Sequence, residues 1–304
     1  MQLNRLTGGQ ALVCGIATHC IWGTLPLYLL LVDDVPPLEF VAWRTLFTLP
    51  ICAALVLLLK ERHQLFVVLQ QPRALATLLA TSALIGLNWW LYVWAIQQGM
   101  IYAASLGYFI LPLLMVALGG LVLGERTSTA QKLAIALAAL GVGVLSAGAD
   151  ATLWVSLGLA ATFGLYGLLR KTVAAGPLVG LTIEATILLP VVGGYLLWLS
   201  QEAGLSFGRD TLESGAILGA GFVTAIPLLL FAAAARTLSY TAMGMLQFMA
   251  PSMIFLLGLF VFREELRPQQ IVCFALIWTG IAIFAWDIAA RDRRERGRRQ
   301  RAAA

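Results

Sequence analysis

Charged side chains are scarce in this sequence. Only 12% of its 304 residues are Asp, Glu, Lys or Arg, whereas 60% are hydrophobic and the mean hydropathy is +0.88. A water-soluble domain carries about 25% charged residues on average. The composition therefore excludes an ordinary soluble fold and indicates a chain whose main solvent is lipid.

Cysteine, histidine and catalytic motifs are rare as well. The four cysteines are isolated within apolar runs and lack the paired spacing of a metal site, and only two histidines are present. The sequence contains no H-E-x-x-H, G-x-S-x-G, Walker or G-x-G-D motif. We therefore predict that the chain is not an enzyme and holds neither metal nor cofactor, and that an ATP-driven pump would need a partner's ATPase.

Apolar runs long enough to cross a bilayer recur from end to end. We place ten spans near residues 10–32, 38–59, 74–96, 103–123, 130–147, 152–169, 179–199, 214–235, 242–262 and 269–287. They are predicted to be helices, because backbone polar groups need partners in hydrocarbon and no period-2 alternation suggests a barrel. The predicted fold is an all-α polytopic membrane protein with ten transmembrane helices.

Lysine and arginine are concentrated in alternate connecting segments. With the N-terminus inside, the inner segments hold most of the basic residues and end in the tail RDRRERGRRQR, while Asp33 and Asp150 fall outside. This asymmetry predicts a bacterial-type inner (plasma) membrane protein with both termini cytoplasmic. The basic tail, 288–304, is predicted to lie against anionic lipid headgroups and not to bind nucleic acid.

An internal repeat organises the chain. A shift of 139 residues aligns the fourth and fifth spans with the ninth and tenth without a gap, matching Pro112 with Pro251, Glu125 with Glu264, Gln131 with Gln270 and Gly141 with Gly280. A shift of 140 places Arg44 on Glu184. Residues 1–147 and 148–287 are therefore predicted to be two five-helix repeats. Since five is odd, the second repeat is inverted, which is a transporter architecture.

Several stretches resemble a known family. They are WGTLPLY (22–28), LEFVAWR (38–44), LNWWLYVWA (87–95), ASLGYFILPL (104–113), LGER (123–126), FGLYGLLRK (163–171), TAIPLLLFAAA (224–234), LQFMAPSMIFLLG (246–258) and LIWTGIAIF (276–284). In order and spacing the chain resembles the EamA-type drug/metabolite transporter superfamily, within it the RarD-like branch. The resemblance implies ten helices in two inverted repeats, cytoplasmic termini, and movement of small solutes across the inner membrane.

The function predicted from the repeat and the resemblance is secondary transport. We expect a permease that moves small organic solutes, metabolites or drugs by alternating access, with a small molecule and membrane lipid as partners. Two alternatives stay open, a non-transporting membrane scaffold and a channel-like protein. A channel is the less expected of these, because no ring of like charges or filter-like repeat is present.

Polar and aromatic side chains within the spans are the candidate site residues. We predict substrate binding by Trp22, Arg44, Asn88, Tyr108, Glu184 and Gln247, proton coupling by His19 or Glu184, and helix breaks at Pro112 and Pro251. Simpler interpretations are a packed imidazole bonded to a neighbouring helix for His19 and a buried, paired amide for Asn88.

Arg44 and Glu184 occupy matching places in the repeats, which suggests a central ion pair. Each lies about six residues into its span from opposite membrane faces, so roughly 13 Å separates their levels in a core about 30 Å thick. We therefore expect each charge to line its own vestibule, held by polar neighbours from other helices. Snorkelling of Arg44 to the headgroups is the alternative.

Overall fold

The computed structural model describes residues 6–147, 153–202, 204–261, 263 and 267–303, with side chains up to 290 in the last range. Asp150 and Glu264, used in the topology and repeat arguments, lie outside the described residues, as do the side chains of the tail beyond 290.

All regular structure in the described ranges is helical. The helices are α1 (Gly8–Leu29), α2 (Pro37–Leu58), α3 (Arg62–Leu69), α4 (Pro72–Gln97), α5 (Ile101–Leu121), α6 (Thr129–Ser146), α7 (Leu153–Thr172), α8 (Pro177–Glu202), α9 (Thr211–Thr237), α10 (Tyr240–Gln247), α11 (Met249–Phe260) and α12 (Pro268–Ala303). Ten spans within these ranges are long and apolar enough to cross a membrane, with α10 and α11 together forming the ninth. The predicted ten-helix fold is confirmed.

Local sequence explains where the helices begin. Four of the spans, α2, α4, α8 and α12, start at a proline, whose missing N–H costs nothing in the first turn. At α6, the Ser128 hydroxyl accepts from the Gln131 amide while Gln131 Oε1 accepts from the Ser128 N–H at 3.0 Å. At α12 the Gln270 Oε1 accepts from the Arg267 N–H, also at 3.0 Å. Gln131 and Gln270, which are equivalent in the repeat, therefore cap their helices in the same way.

The helices pair across the two halves about a pseudo-two-fold axis. Three contacts relate equivalent spans to each other, namely α2 with α8, α5 with α10, and α6 with α12. Three further pairs of contacts match each other: α1 on α9 corresponds to α7 on α4, α2 on α9 to α8 on α4, and α5 on α7 to α11 on α1. This pattern is what two inverted five-helix repeats produce when their faces interlock.

The contact between α6 and α12 shows the axis at atomic detail. A Cβ on Gly141 would lie 2.9 Å from the carbonyl oxygen of Cys273, and a Cβ on Gly280 would lie 2.7 Å from that of Ala134. Cys273 is the repeat equivalent of Ala134, so each glycine admits the other helix's equivalent backbone. Small residues at such crossings let membrane helices approach closely.

The two repeat-equivalent prolines behave differently. The ninth span is interrupted at Phe248, between α10 and α11, three residues before Pro251. α5 instead continues from Ile101 to Leu121 with Pro112 inside it, so the helix break predicted at Pro112 is corrected. There the proline forfeits one backbone hydrogen bond to the carbonyl of Tyr108 without ending the helix. A Cβ on Gly244 of α10 would press on the Pro112 carbonyl oxygen, so the glycine allows α10 to cross α5 closely.

The short helix α3 was not predicted, because eight residues are too few for a span. It lies between the second and third spans, buries Val68, and joins a cluster with Leu78, Val179 and Ile183 from α4 and α8. The most enclosed spans are α7 and α9, whose buried side chains form the centre of the main core cluster. Residues of the first half, among them Cys14, Cys52, Ile85 and Met115, belong to the same cluster, so the halves meet there.

Candidate functional site

Glu184 is the centre of a buried polar cluster on α8. The hydroxyl of Thr81 on α4 donates to Glu184 Oε1 at 2.6 Å, and the hydroxyl of Tyr166 on α7 donates to Oε2 at 3.4 Å. The Arg170 Nε lies 3.6 Å from Oε1. Only 2% of Glu184 is exposed, so its charge is balanced by neighbours and not by water. Glu184 is therefore paired with Arg170 and not with Arg44.

Arg170 is a site residue that sequence reasoning missed. Its place near the end of a span suggested an interfacial arginine, yet only 1% of the side chain is exposed. Its Nη2 donates to the carbonyl of Pro177 at 2.9 Å, and a Cβ on Gly180 would overlap the guanidinium. One signal could have found it, because Tyr166 and Arg170 are four residues apart and share a helix face.

Arg44 on α2 lies among aromatic rings. Its guanidinium carbon is 4.3 Å from the centroid of the Trp89 ring on α4, a cation–π contact. Tyr92 and Tyr108 lie nearby, and their rings meet edge to face at 5.9 Å. The Arg44 Nε is buried without a hydrogen-bond partner among the described residues. The guanidinium thus packs against α4 and α5.

A small cavity separates the two charged clusters. It holds about 10 Å³, room for roughly one water molecule. Its polar lining comes from both halves of the chain: Thr45, Thr48, Trp89, Tyr166, Glu184 and Thr224. Trp89 belongs to both clusters, since it lies under Arg44 and lines the same cavity as Glu184. The centre of the bundle therefore has little free space in this arrangement.

The bundle is also fastened at its other end. We call the face where α1 begins the N-terminal side; Glu184 lies nearer to it, and Glu39, in the first turn of α2, lies on the opposite side. Glu39 is buried and accepts hydrogen bonds from the Ser206 N–H at 2.7 Å, the Ser206 hydroxyl at 2.9 Å and Trp43 Nε1 at 3.0 Å. Phe207 packs on Trp43 at 4.9 Å. The loop between α8 and α9 is thereby latched onto α2, a contact that sequence reasoning missed.

The remaining predicted residues do not border the cavity. Asn88 Nδ2 donates to Thr162 Oγ1 at 2.8 Å and to the Leu159 carbonyl at 2.9 Å, so the amide joins α4 to α7. Trp22 packs on Phe163 and Phe231 at 5.7 and 5.8 Å. Tyr108 lies near Arg44, outside the lining of the cavity.

His19 on α1 and Gln247 on α10 are also buried away from the cavity. Both ring nitrogens of His19 and the Oε1 of Gln247 lack a hydrogen-bond partner in the described part of the chain. The packed imidazole considered from sequence would be bonded to a neighbouring helix, and the described residues provide no such bond.

Ten apolar helices in two interlocked, inverted halves, with polar side chains buried where the halves meet, define a multi-pass membrane protein of the transporter class. The model of the EamA-like transporter family matches residues 9–147. An uncharacterized transporter of Pseudomonas aeruginosa is 39% identical over 276 residues, covering 90% of this chain and 93% of the relative. The protein RarD of Streptomyces exfoliatus is 36% identical, covering 96% and 93%, and that of Escherichia coli is 35% identical, covering 94% and 97%.

The chain belongs to the EamA-like transporter family, as a RarD-like member. A crystal structure with 20% sequence identity superposes with a TM-score of 0.70 and covers 91% of this chain and 97% of its own, which supports the fold.

Proposed function

We propose that the protein is a secondary transporter that moves small organic solutes across the inner membrane by alternating access. One observation carries the proposal, the narrow cavity that residues of both halves line, with Glu184 and several hydroxyl groups among aliphatic side chains. Its polar lining suits a solute with hydrogen-bonding groups, and Trp89 offers an aromatic face. A cavity for about one water is narrower than an open pore, which favours a carrier over a channel.

The two fastenings are the parts that we expect to open in turn. Release of Glu184 from Arg170 and Tyr166 would open the cavity toward the N-terminal side, and release of Glu39 from Ser206 would open it toward the other. Each fastening joins different helices through a carboxylate, and the two related halves allow two related packings, one open to each side. The basic residues of the N-terminal side favour its placement in the cytoplasm, with both termini there.

Within this proposal Glu184 and Arg44 recognise charged or polar groups of the solute. Arg44 packs on Trp89, which lines the cavity, and Tyr108 lies beside it. From this position Arg44 attracts an anionic or polar group of the solute. Glu184 lines the cavity itself and, once released from Arg170, binds a cationic group or a proton. Asn88 and Trp22 act by holding α4 and α1 in place.

The test is a flux screen with purified protein in proteoliposomes, using classes of small organic solutes under imposed pH and sodium gradients. We expect at least one class to be transported, and Glu184→Gln and Arg44→Ala each to lower its rate by about tenfold or more, roughly 1.4 kcal/mol of barrier. Glu202→Gln, the same change at an exposed position on the same helix, is the control and should transport normally.

Size-exclusion chromatography checks that each variant remains monodisperse. Wild-type rates in both Glu184→Gln and Arg44→Ala would refute the site. Flux of no solute class under any gradient would favour the scaffold alternative.

A further inference from the structure

His19 is a buried imidazole whose ring nitrogens make no hydrogen bond to the described residues. None of its side chain is exposed, and neither Nδ1 nor Nε2 has a hydrogen-bond partner among the described residues. Its ring meets Trp22 edge-on at 5.5 Å. Burying a polar group without a partner costs free energy, so such a group needs an explanation.

The register of α1 against the ninth span places His19 beside the helix break. Residues four apart share a face of a helix, and on that face Gly15 approaches Leu246 while Gly23 approaches Met253. His19 lies halfway between these contacts, at the level where α10 ends and α11 begins. Taking the rise per residue, Gln247 is within about 5 Å of His19 along the bundle axis.

The break supplies unused acceptors. The Gln247 Oε1 is buried without a partner in the described ranges. Pro251 has no N–H to donate to the main-chain carbonyl of Gln247, four residues earlier. The main-chain oxygen of Gln247 therefore lacks the hydrogen bond that a regular helix would give it, and its Oε1 lacks a side-chain hydrogen bond among the described residues.

The other half of the protein lacks this arrangement. Gly23 with Met253 corresponds to Gly164 with Leu114, since each glycine receives the matching side chain of the crossing helix. The same correspondence places Ala160, a buried alanine, at the position of His19. An alanine satisfies the fold at this crossing, so packing does not require the imidazole.

Few ionisable groups lie on the elements that pack around His19. α9 carries them at its ends, as Glu213 and Arg236, α10 has Tyr240 in its first turn, and α11 has none. α1 itself adds Cys14, Cys20 and Tyr28, and α7, beyond the ring of Phe163, adds Tyr166, Arg170 and Lys171. No carboxylate of these helices is near the midpoint of α1, so an imidazolium here would have no counter-charge.

We propose that His19 is a proton-binding group of a proton-coupled transport cycle, and that the side-chain oxygen of Gln247 at the α10–α11 break accepts the N–H of the imidazolium. The arrangement described is the deprotonated one. Protonation at a ring nitrogen adds one positive charge, which is stable only if α10 and α11 hinge at Phe248 and bring a Gln247 oxygen to the ring. Proton binding and helix movement are thereby one step.

The ligand chemistry favours a proton over a metal ion. The two residues offer one imidazole and one amide, without a carboxylate, whereas hard cations take several oxygen ligands. Imidazole also changes charge in the physiological pH range. The coupling of proton binding to transport rests on the proposed function. The proton site itself can be tested without any solute.

The experiment uses the full-length protein in lipid nanodiscs with ¹⁵N-labelled histidine, followed by NMR from pH 4.5 to 8.5. The chain has two histidines, and the second, His63, is exposed on α3. The variant His63→Gln leaves the His19 signal alone, and His19→Gln identifies it by its loss. We expect His19 to titrate within this range, and Gln247→Met to lower its midpoint by about one pH unit because the acceptor is gone.

The direction follows from the sign of the interaction, since an acceptor stabilises the imidazolium and its removal makes protonation harder. A His19 signal that stays neutral throughout, or an unchanged midpoint in Gln247→Met, would overturn the proposal. Gradient-driven flux by wild-type protein with a non-titrating His19 would leave the transporter proposal standing and remove this site. A titrating His19 without flux would do the reverse.

Discussion

Replacing Arg170 and Glu184 together should lower the free energy of unfolding by less than the sum of the two single replacements. Arg170→Met removes the cation and keeps much of the side-chain volume, leaving Glu184 buried with the hydroxyls of Thr81 and Tyr166 as its remaining partners. Glu184→Gln leaves a buried guanidinium whose remaining hydrogen bond goes to the Pro177 carbonyl. The double variant has no buried charge in the cluster.

The magnitude follows from burial. Both side chains are at most 2% exposed, so breaking the pair strands a charge that water does not reach. Removing one partner of a buried pair typically costs about 3–5 kcal/mol, whereas replacing both is often close to neutral. The two hydroxyl donors to Glu184 hold the cost of Arg170→Met near the lower figure. We expect each single variant to cost about 3 kcal/mol and the double variant about 1–3 kcal/mol less than their sum.

The assay is reversible SDS titration of purified protein from detergent micelles, with the folded fraction read from tryptophan fluorescence. The free energy of unfolding is compared among wild type, both single variants and the double variant, with Glu202→Gln as an exposed control. Additivity within about 0.5 kcal/mol would show that the residues do not interact, and the reasoning about this cluster would fail.

Two further predictions concern the helix crossing and the topology. Gly141→Ala should cost about 1–3 kcal/mol in the same titration, because its Cβ would press on the Cys273 carbonyl at 2.9 Å, while Gly143→Ala, which meets nothing within 4 Å, should be neutral or slightly stabilising; equal effects would contradict the crossing. On intact cells, a membrane-impermeant maleimide should label Asp33→Cys but not Arg62→Cys, both exposed positions; labelling of the latter would reverse the proposed orientation.

Much of the architecture was predictable because a bilayer leaves few choices. The solvent requires every backbone group to be bonded within its own segment, so apolar runs of sufficient length become helices. The repeat added the relation between the halves, since aligned glycines such as Gly141 and Gly280 mark equivalent crossings. These inferences need only local composition and spacing.

The site residues were predictable only as candidates. Glu184 stood out because a carboxylate inside an apolar run is costly. Arg170 did not, because a basic residue near a span's end is ordinary in sequence, and its burial depends on Gly180 leaving space for the guanidinium. Whether a charge is paired, and with what, depends on helices far away in the chain.

The sequence by itself determined the ten helices, their inverted repetition and the presence of unusual polar residues among them, because hydropathy and spacing are local properties. Only the tertiary structure decided which of those residues meet. Pro112 and Pro251 are equivalent in sequence, yet one lies within a continuous helix and the other follows a break, since their neighbours differ. His19 and Gln247 are ordinary residues in the sequence, and only the tertiary structure shows that both are buried with side-chain atoms that lack hydrogen-bond partners among the described residues.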